Sequence, residues 1–299
     1  MDAPDARSRR PWWDVDRRWI FLLVAVGTIF PLVRPLGLAV RPTEPVRAIF
    51  DRIESLSPGE VVLVSFDYGP STGPENDPMA AAVLRHCFAR RLRVVGISLF
   101  PVGGLTMLNQ ELGRVTGETD SLADGVDYVN LGYKDGAQAA MRQMAVDIHA
   151  VFPADSRGRA IGTIPLMKGV HTYRDVSLAV TLTSSLFGEY WANLVNAQFG
   201  LPVAVGCTAV LAPKYYAYLR AGQMLGLMGG LKGASEYEKL LLERYPRYRG
   251  VYQRAGGYTA TKGMDVQSIV HVIIIAFIIM GNVVALGARR AARRRAEER

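Results

Sequence analysis

Two apolar runs, residues 19–40 and 269–288, bracket everything else in this chain and restrict it more than any motif does. The second run carries no charge. Twenty helical residues at 1.5 Å of rise each match a hydrocarbon core of about 30 Å. The first carries a single charge, Arg34, and the residues between the runs have ordinary globular composition. The chain therefore reads as a membrane protein whose central domain is tethered at its entrance and its exit.

Arginines set the expected topology. Arg7, Arg9, Arg10, Arg17 and Arg18 precede the first run, and Arg289, Arg290, Arg293, Arg294, Arg295 and Arg299 follow the second. Short basic flanks stay cytoplasmic, so both termini are expected inside and the central domain outside the cytoplasm, at a cell or inner membrane. The division predicted is a basic N-terminal segment 1–18, a span 19–40, an α/β domain 41–265, a span 266–288 and a basic tail 289–299. The first span is interrupted by Pro31, Arg34 and Pro35, with Trp12, Trp13 and Trp19 at its rim. A signal peptide cleaved after Gly37 and Ala39 is the alternative to an uncleaved anchor, and both export the domain.

A net charge of +8 would ordinarily suggest nucleic acid, but its distribution argues otherwise. Residues 41–265 hold 23 Lys and Arg against 21 Asp and Glu, so the excess belongs to the ends. A basic tail beside a span suits anionic lipid. Membrane lipids are the expected partner, and nucleic acid is not. Cys87 and Cys207 read as two buried free thiols. His86, His149, His171 and His271 lack metal-ligand spacing, so no metal site is indicated, and the sequence names no cofactor.

Within the central domain, short β-branched runs alternate with helical patterns. The expected strands are 61–67, 93–100, 126–131, 176–183, 202–207 and 223–228. The intervening helices are expected at 77–91, from about 105, and at 136–152, 187–199, 212–221 and 235–245. The run VVLVSFD is apolar almost throughout, as a central parallel strand covered on both faces must be. The prediction is an α/β, Rossmann-like, doubly wound sheet of about six mostly parallel strands, flanked by one transmembrane helix at each end. Right-handed crossovers would gather the strand carboxyl ends on one edge.

That edge carries the candidate site. The loop 66–79 (FDYGPSTGPENDPM) offers Asp67, Ser71, Thr72 and Glu75 to a ligand, and Asp77 before Pro78 reads as a helix N-cap. Gly103 and Gly104, Asn130, Ser184 and Thr208 end other strands, where small polar residues suit either anion binding or the conformation of a tight turn. Lys232 sits in a glycine-rich turn resembling a phosphate cradle, but the Walker spacing is absent, and close packing explains the glycines equally. Asp67, Ser184 and Cys207 are the candidate catalytic groups, although no complete nucleophile motif is present.

Two further features point to the membrane. Tyr237, Tyr245, Tyr248, Tyr252 and Tyr258 alternate with arginines before the second span and suit the headgroup level. Within that span, His271 and Asn282 lie within about 20° on one helical face. Gly281 and Ala285 form a small-residue pair suited to helix contact, so the second span is expected to meet another helix in a homo-oligomer or hetero-complex. Taken together, the residues favour a binding or scaffolding subunit of a membrane complex, with an envelope hydrolase or transferase as the alternative.

Overall fold

The computed structural model describes residues 17–34, 36, 40–118, 121–254 and 260–297. Most of the basic N-terminal segment, the proposed cleavage residues Gly37 and Ala39, and Tyr258 lie outside them. The chain divides into two compact units, Met1–Leu38 with Lys262–Arg299, and Ala39–Thr261.

Helix α1 (Arg17–Val33) opens the first unit and is 17 residues long. It stops well before residue 40. Arg34 donates its amide to the Phe30 carbonyl (2.8 Å) as a last turn, and a proline at 35 disfavours further helix. Its 17 residues put α1 at the short end of the lengths that cross a hydrocarbon core.

In the second unit, helix α2 (Glu44–Ser55) precedes strand β1 (Val61–Asp67). The strand-and-helix pattern missed α2, although Val46, Ile49, Phe50 and Ile53 repeat at helical spacing and are buried, with Pro45 in the first turn. A 3-10 turn (Pro70–Thr72) leads to α3 (Gly73–Ala89), so that helix starts four residues before the predicted Asp77. Pro74 occupies the first turn instead, and Asp77 and Pro78 lie inside the helix rather than capping it. Strand β2 (Arg93–Ser98), α4 (Gly104–Thr116) and β3 (Tyr128–Tyr133) follow. The helix predicted over 136–152 is broken into α5 (Ala137–Met144) and α6 (Ile148–Val151), because the Asp147 carboxylate accepts the His149 amide and starts a new N-terminus. Strand β4 (Leu178–Thr183) leads into α7 (Phe187–Tyr190), which continues through a π-helical stretch (Trp191–Asn196) into α8 (Ala197–Phe199). Strand β5 (Val203–Cys207), α9 (Ala212–Arg220), β6 (Gly226–Gly229), α10 (Gly230–Arg244) and α11 (Arg249–Arg254) complete the unit.

All six strands pair in parallel, in the order β3-β2-β1-β4-β5-β6. Two apolar layers sandwich the sheet. One includes α2, α3, α4 and α10, and the other α5, α6 and the α7 segment. The chain therefore changes face between β1 and β4, which leaves a topological switch point at their carboxyl ends.

Helix α12 (Ala260–Glu297) closes the chain. Its segment Ala260–Arg289 is long and apolar enough to cross a membrane. Among the described residues it is the one such helix, so the prediction of a full-length apolar helix at each end is corrected to one at the C-terminal end. Inside the first unit, α1 packs on α12. A Cβ added at Gly27 would lie 2.6 Å from Ile273 and 3.1 Å from Ile269, and the Leu36 amide donates to Asp265 (2.8 Å).

Four of the five tyrosines assigned to a headgroup belt, Tyr237, Tyr245, Tyr248 and Tyr252, are turned into the α/β unit instead. Tyr237 and Tyr252 are buried. The Tyr245 hydroxyl donates to Glu54 (2.6 Å) and that of Tyr248 to the Arg85 carbonyl (2.9 Å).

Candidate functional site

The end of β1 forms the floor of the switch point. Asp67, its last residue, is fully buried. Its Oδ2 accepts from the Ser65 hydroxyl (2.7 Å), the Thr181 hydroxyl (2.9 Å) and the Trp191 indole (3.1 Å), and its Oδ1 accepts the Leu99 amide (3.0 Å). Burial raises the carboxyl pKa, and these four donors oppose the rise. The carboxylate thus ties β1, β4, the end of β2 and the α7 segment together, with its acceptor sites occupied by protein donors.

The glycines at the start of α4 serve that same close approach. Gly103 has φ +89°, and a Cβ at Gly104 would fall 2.7 Å from the Phe66 carbonyl. Only glycine lets the helix terminus come this near to β1.

Around this floor the loops bind one another. The buried Tyr68 hydroxyl donates to Asp77 (2.7 Å), and the Asp77 pKa is raised, chiefly by burial. Ser71 is exposed, whereas the Thr72 hydroxyl donates to the Gly69 carbonyl (3.1 Å). Glu75 accepts the Ala209 amide (2.8 Å), joining the first turn of α3 to the loop after β5. Beside it Cys207 is buried. Its thiol is pushed up to about 12 by burial and by the Glu75 carboxylate, far from a reactive thiolate. Thr208 is buried as well. Ser184 donates its amide to the Asp67 carbonyl (3.4 Å).

Among the described residues, two buried polar atoms on this edge make neither a hydrogen bond nor an ion pair: Asn76 Oδ1 and Ser185 Oγ. Asn76 is fully buried, and its Nδ2 donates to the Thr72 carbonyl (3.2 Å). Such orphans mark places where a water or ligand would be bound. Both residues stood in the strand-end loops read from the sequence. Nothing local distinguished them, because an orphan is defined by what the rest of the fold fails to supply.

Asn130 lies apart from this cluster, in a cavity of about 690 Å3 beside the edge strand β3. Its Nδ2 donates to Asn109 (2.7 Å) and its Oδ1 accepts the Gly132 amide (2.9 Å). Tyr133, Lys134 and Arg157 also line this space. Arg157 pairs with Asp124 (2.6 Å). Leu105, Leu112, Leu131 and Val151 line it beside these polar groups, so the lining is of mixed character.

Lys232 is engaged within its own helix. It lies in the first turn of α10 and pairs with Glu236, whose other carboxylate oxygen accepts the Thr43 amide (2.9 Å). The surrounding glycines serve packing: a Cβ at Gly233 would meet the Met228 backbone at 2.7 Å.

The histidines are engaged elsewhere. His86 bonds Tyr237 (2.7 Å) and Glu54 (3.0 Å), and burial pushes its pKa down to about 4. His149 bonds the Met167 and Val170 carbonyls (3.0 and 3.1 Å), and His171 the Lys168 carbonyl (3.2 Å). None of these bonds engages a serine or a cysteine. Among the described residues no group of three or more His, Cys, Asp or Glu could hold a metal ion.

In the first unit, the face of α12 that is partly covered carries Ile269, Ile273, Phe277, Met280 and Val284. His271, Gly281 and Asn282 are exposed. At 100° per residue, His271 and Asn282 lie roughly opposite Ile273.

No protein-family model matches the chain, and no curated protein matches it. A solved structure of trehalose-6-phosphate synthase, OtsA, is similar over 79% of this chain and 44% of that one, at 10% identity and a TM-score of 0.31. The chain thus spans less than half of that protein, and a likeness of this size carries no argument about activity.

Proposed function

We propose that this is a two-pass membrane protein whose Rossmann-like unit, Ala39–Thr261, lies outside the cytoplasm as a binding or scaffolding subunit of a membrane complex. One observation carries the reading. The polar groups of α12, His271 and Asn282, are exposed on the face opposite the one covered within the first unit. In hydrocarbon an amide and an imidazole require protein partners, and Gly281, with nothing within 4 Å of an added Cβ, leaves room for a second backbone to approach. The shorter α1 acts in this reading as a second, thinner span, with Arg17 and Arg18 at its start and Arg289 and Arg293 in the last turns of α12 keeping both ends at the cytoplasmic face and against anionic lipid.

An envelope hydrolase or transferase is the second reading. The orphaned Asn76 Oδ1 and Ser185 Oγ at the switch point favour it, as does the cavity holding Asn130. It is the weaker one because Asp67 is saturated with donors, Cys207 is held protonated and the histidines are occupied elsewhere.

Native mass spectrometry of the protein extracted gently from its membrane tests the first reading. A defined multimer or hetero-complex is expected for the wild type, dissociating when Gly281→Leu and Asn282→Leu are combined. An assembly of unchanged size in the double variant, or a wild-type monomer, refutes it.

A further inference from the structure

At the amino edge of the sheet, away from the loops described above, lies a second cavity of about 590 Å3. It opens between the end of α3, α4 and the segment from Arg247 to Val251. Phe88, Leu122, Tyr248 and Val251 give it an apolar lining, and Arg91 and Arg247 add guanidinium groups.

The charges lining this cavity are unequally engaged. Arg85 is held in two bonds by Glu118 (2.5 and 2.9 Å) and lies over the Tyr252 ring at 4.4 Å. Asp127 lines it too, and its carboxylate accepts the Ala123 amide (2.8 Å). Arg91 and Arg247 are both exposed, and no carboxylate among the described residues pairs with either. Arg247 rests over the Tyr248 ring, 5.2 Å from its centroid.

Backbone strain provides the independent observation. Arg91 has φ 58°, the one positive value at a non-glycine position among the described residues. It occupies the turn that ends α3, where the Arg91 amide donates to the Phe88 carbonyl (3.1 Å) and the Leu92 amide to the Cys87 carbonyl (2.9 Å). Glycine is the usual residue at this position because a Cβ crowds the following carbonyl in the left-handed region. The turn itself has no use for a side chain here, and the one it carries lines the cavity. Residues held in such conformations cluster at ligand sites.

We propose that this cavity binds a small organic anion: a phosphate or carboxylate head held by Arg91 and Arg247, on an apolar or aromatic body seated against Phe88 and Tyr248. Guanidinium planes match the oxygens of such heads in pairs of hydrogen bonds, and the rings accept a flat apolar body. This site is separate from the carboxyl-edge loops and does not depend on the assembly role of α12.

Isothermal titration calorimetry of the full chain in nanodiscs of zwitterionic lipid tests it, with phenyl phosphate and benzoate as probes and inorganic phosphate and phenol as controls. At least one probe is expected to bind saturably at one site per chain, about tenfold or more tighter than both controls, since head and body contribute together. Arg247→Ala and Arg91→Gly should each weaken that probe about tenfold, the loss of one charge-assisted contact. Ala89→Trp, which fills the space, should abolish binding. Arg91→Gly separates this role from a structural one: glycine relieves the left-handed turn, so the melting temperature should stay level or rise while affinity falls. The proposal is overturned if neither probe binds the wild type, if binding survives both arginine substitutions, or if Arg91→Gly lowers the melting temperature along with the affinity.

Discussion

Glu238 connects two distant parts of the α/β unit, and its titration should be measurable as stability. It lies in α10, 1% exposed, and its carboxylate accepts the Ala260 amide (3.0 Å) and both the amide and hydroxyl of Thr261 (3.3 Å each). A side chain from α10 thus caps the first residues of α12. Burial raises its pKa from 4.5 to about 7, against the pull of those three donors and of Arg85. Because the folded pKa lies above the unfolded one, the folded state binds this proton more tightly. The resulting stability is fully present below about pH 4.5 and is lost as pH rises through about 7. That interval corresponds to about 3 kcal/mol, an order-of-magnitude figure. Glu238→Gln resembles the protonated form at every pH. Urea unfolding of the full chain in mild detergent, followed by circular dichroism between pH 4.5 and 8, should therefore show variant and wild type alike at the acid end. At pH 8 the variant should be more stable by up to about 3 kcal/mol. His86, with a folded pKa of about 4 below its ordinary 6.5, contributes the opposite slope, losing stability as pH falls, but it is common to both proteins and cancels in their difference. A difference that stays flat with pH, or a variant that is the less stable one at pH 8, would refute the reasoning.

Other substitutions test particular contacts. In Asp67→Asn one carboxylate oxygen becomes an NH2 that cannot accept, so at least one of four buried donors loses its acceptor; unfolding free energy should drop by about 2–4 kcal/mol, and a drop under about 0.5 kcal/mol would contradict the role described. Gly27→Leu should separate α1 from α12, and a cysteine pair at 27 and 273 in a background without native cysteines should crosslink through a short bismaleimide; no crosslink would disprove that packing. Cys87 and Cys207 are both free and buried, so Ellman's reagent should titrate almost no thiol in the folded chain and two after denaturation; rapid reaction of either thiol in the native state would contradict their burial.

The sheet was legible because its central strands are covered on both faces and have to be apolar along their length. Val61–Asp67 coincides with the run VVLVSFD for that reason. Helix boundaries were less legible. The sequence pair Asp77-Pro78 satisfies a capping rule, yet Pro74 satisfies it earlier, and burial of Asn76, Pro78 and Met79 draws the helix start forward to Gly73. Helix α2 had a full apolar stripe and was passed over because it precedes the first strand rather than following one. The membrane-proximal tyrosines were misplaced because their spacing describes amphipathic rings, and rings of that kind suit a headgroup layer and a protein core alike; Glu54, His86 and Arg85 decided for the core.

The candidate site was legible as an edge and illegible as chemistry. Asp67 ends the first strand, which the sequence shows. Its donors come from Leu99, Thr181 and Trp191, up to 124 residues away, and only the folded chain brings them to one carboxylate. The residues alone thus determined the parallel α/β order and an apolar helix at the C-terminal end, since both follow from where water must be excluded along short stretches. Tertiary structure decided which polar groups hold the fold, as with Asp67, Glu75 and Glu238, and which, as with Asn76 Oδ1 and Ser185 Oγ, find no hydrogen bond or, as with Arg91 and Arg247, no carboxylate among the described residues, because a hydrogen bond or an ion pair between distant residues exists only once the chain has placed both of its ends.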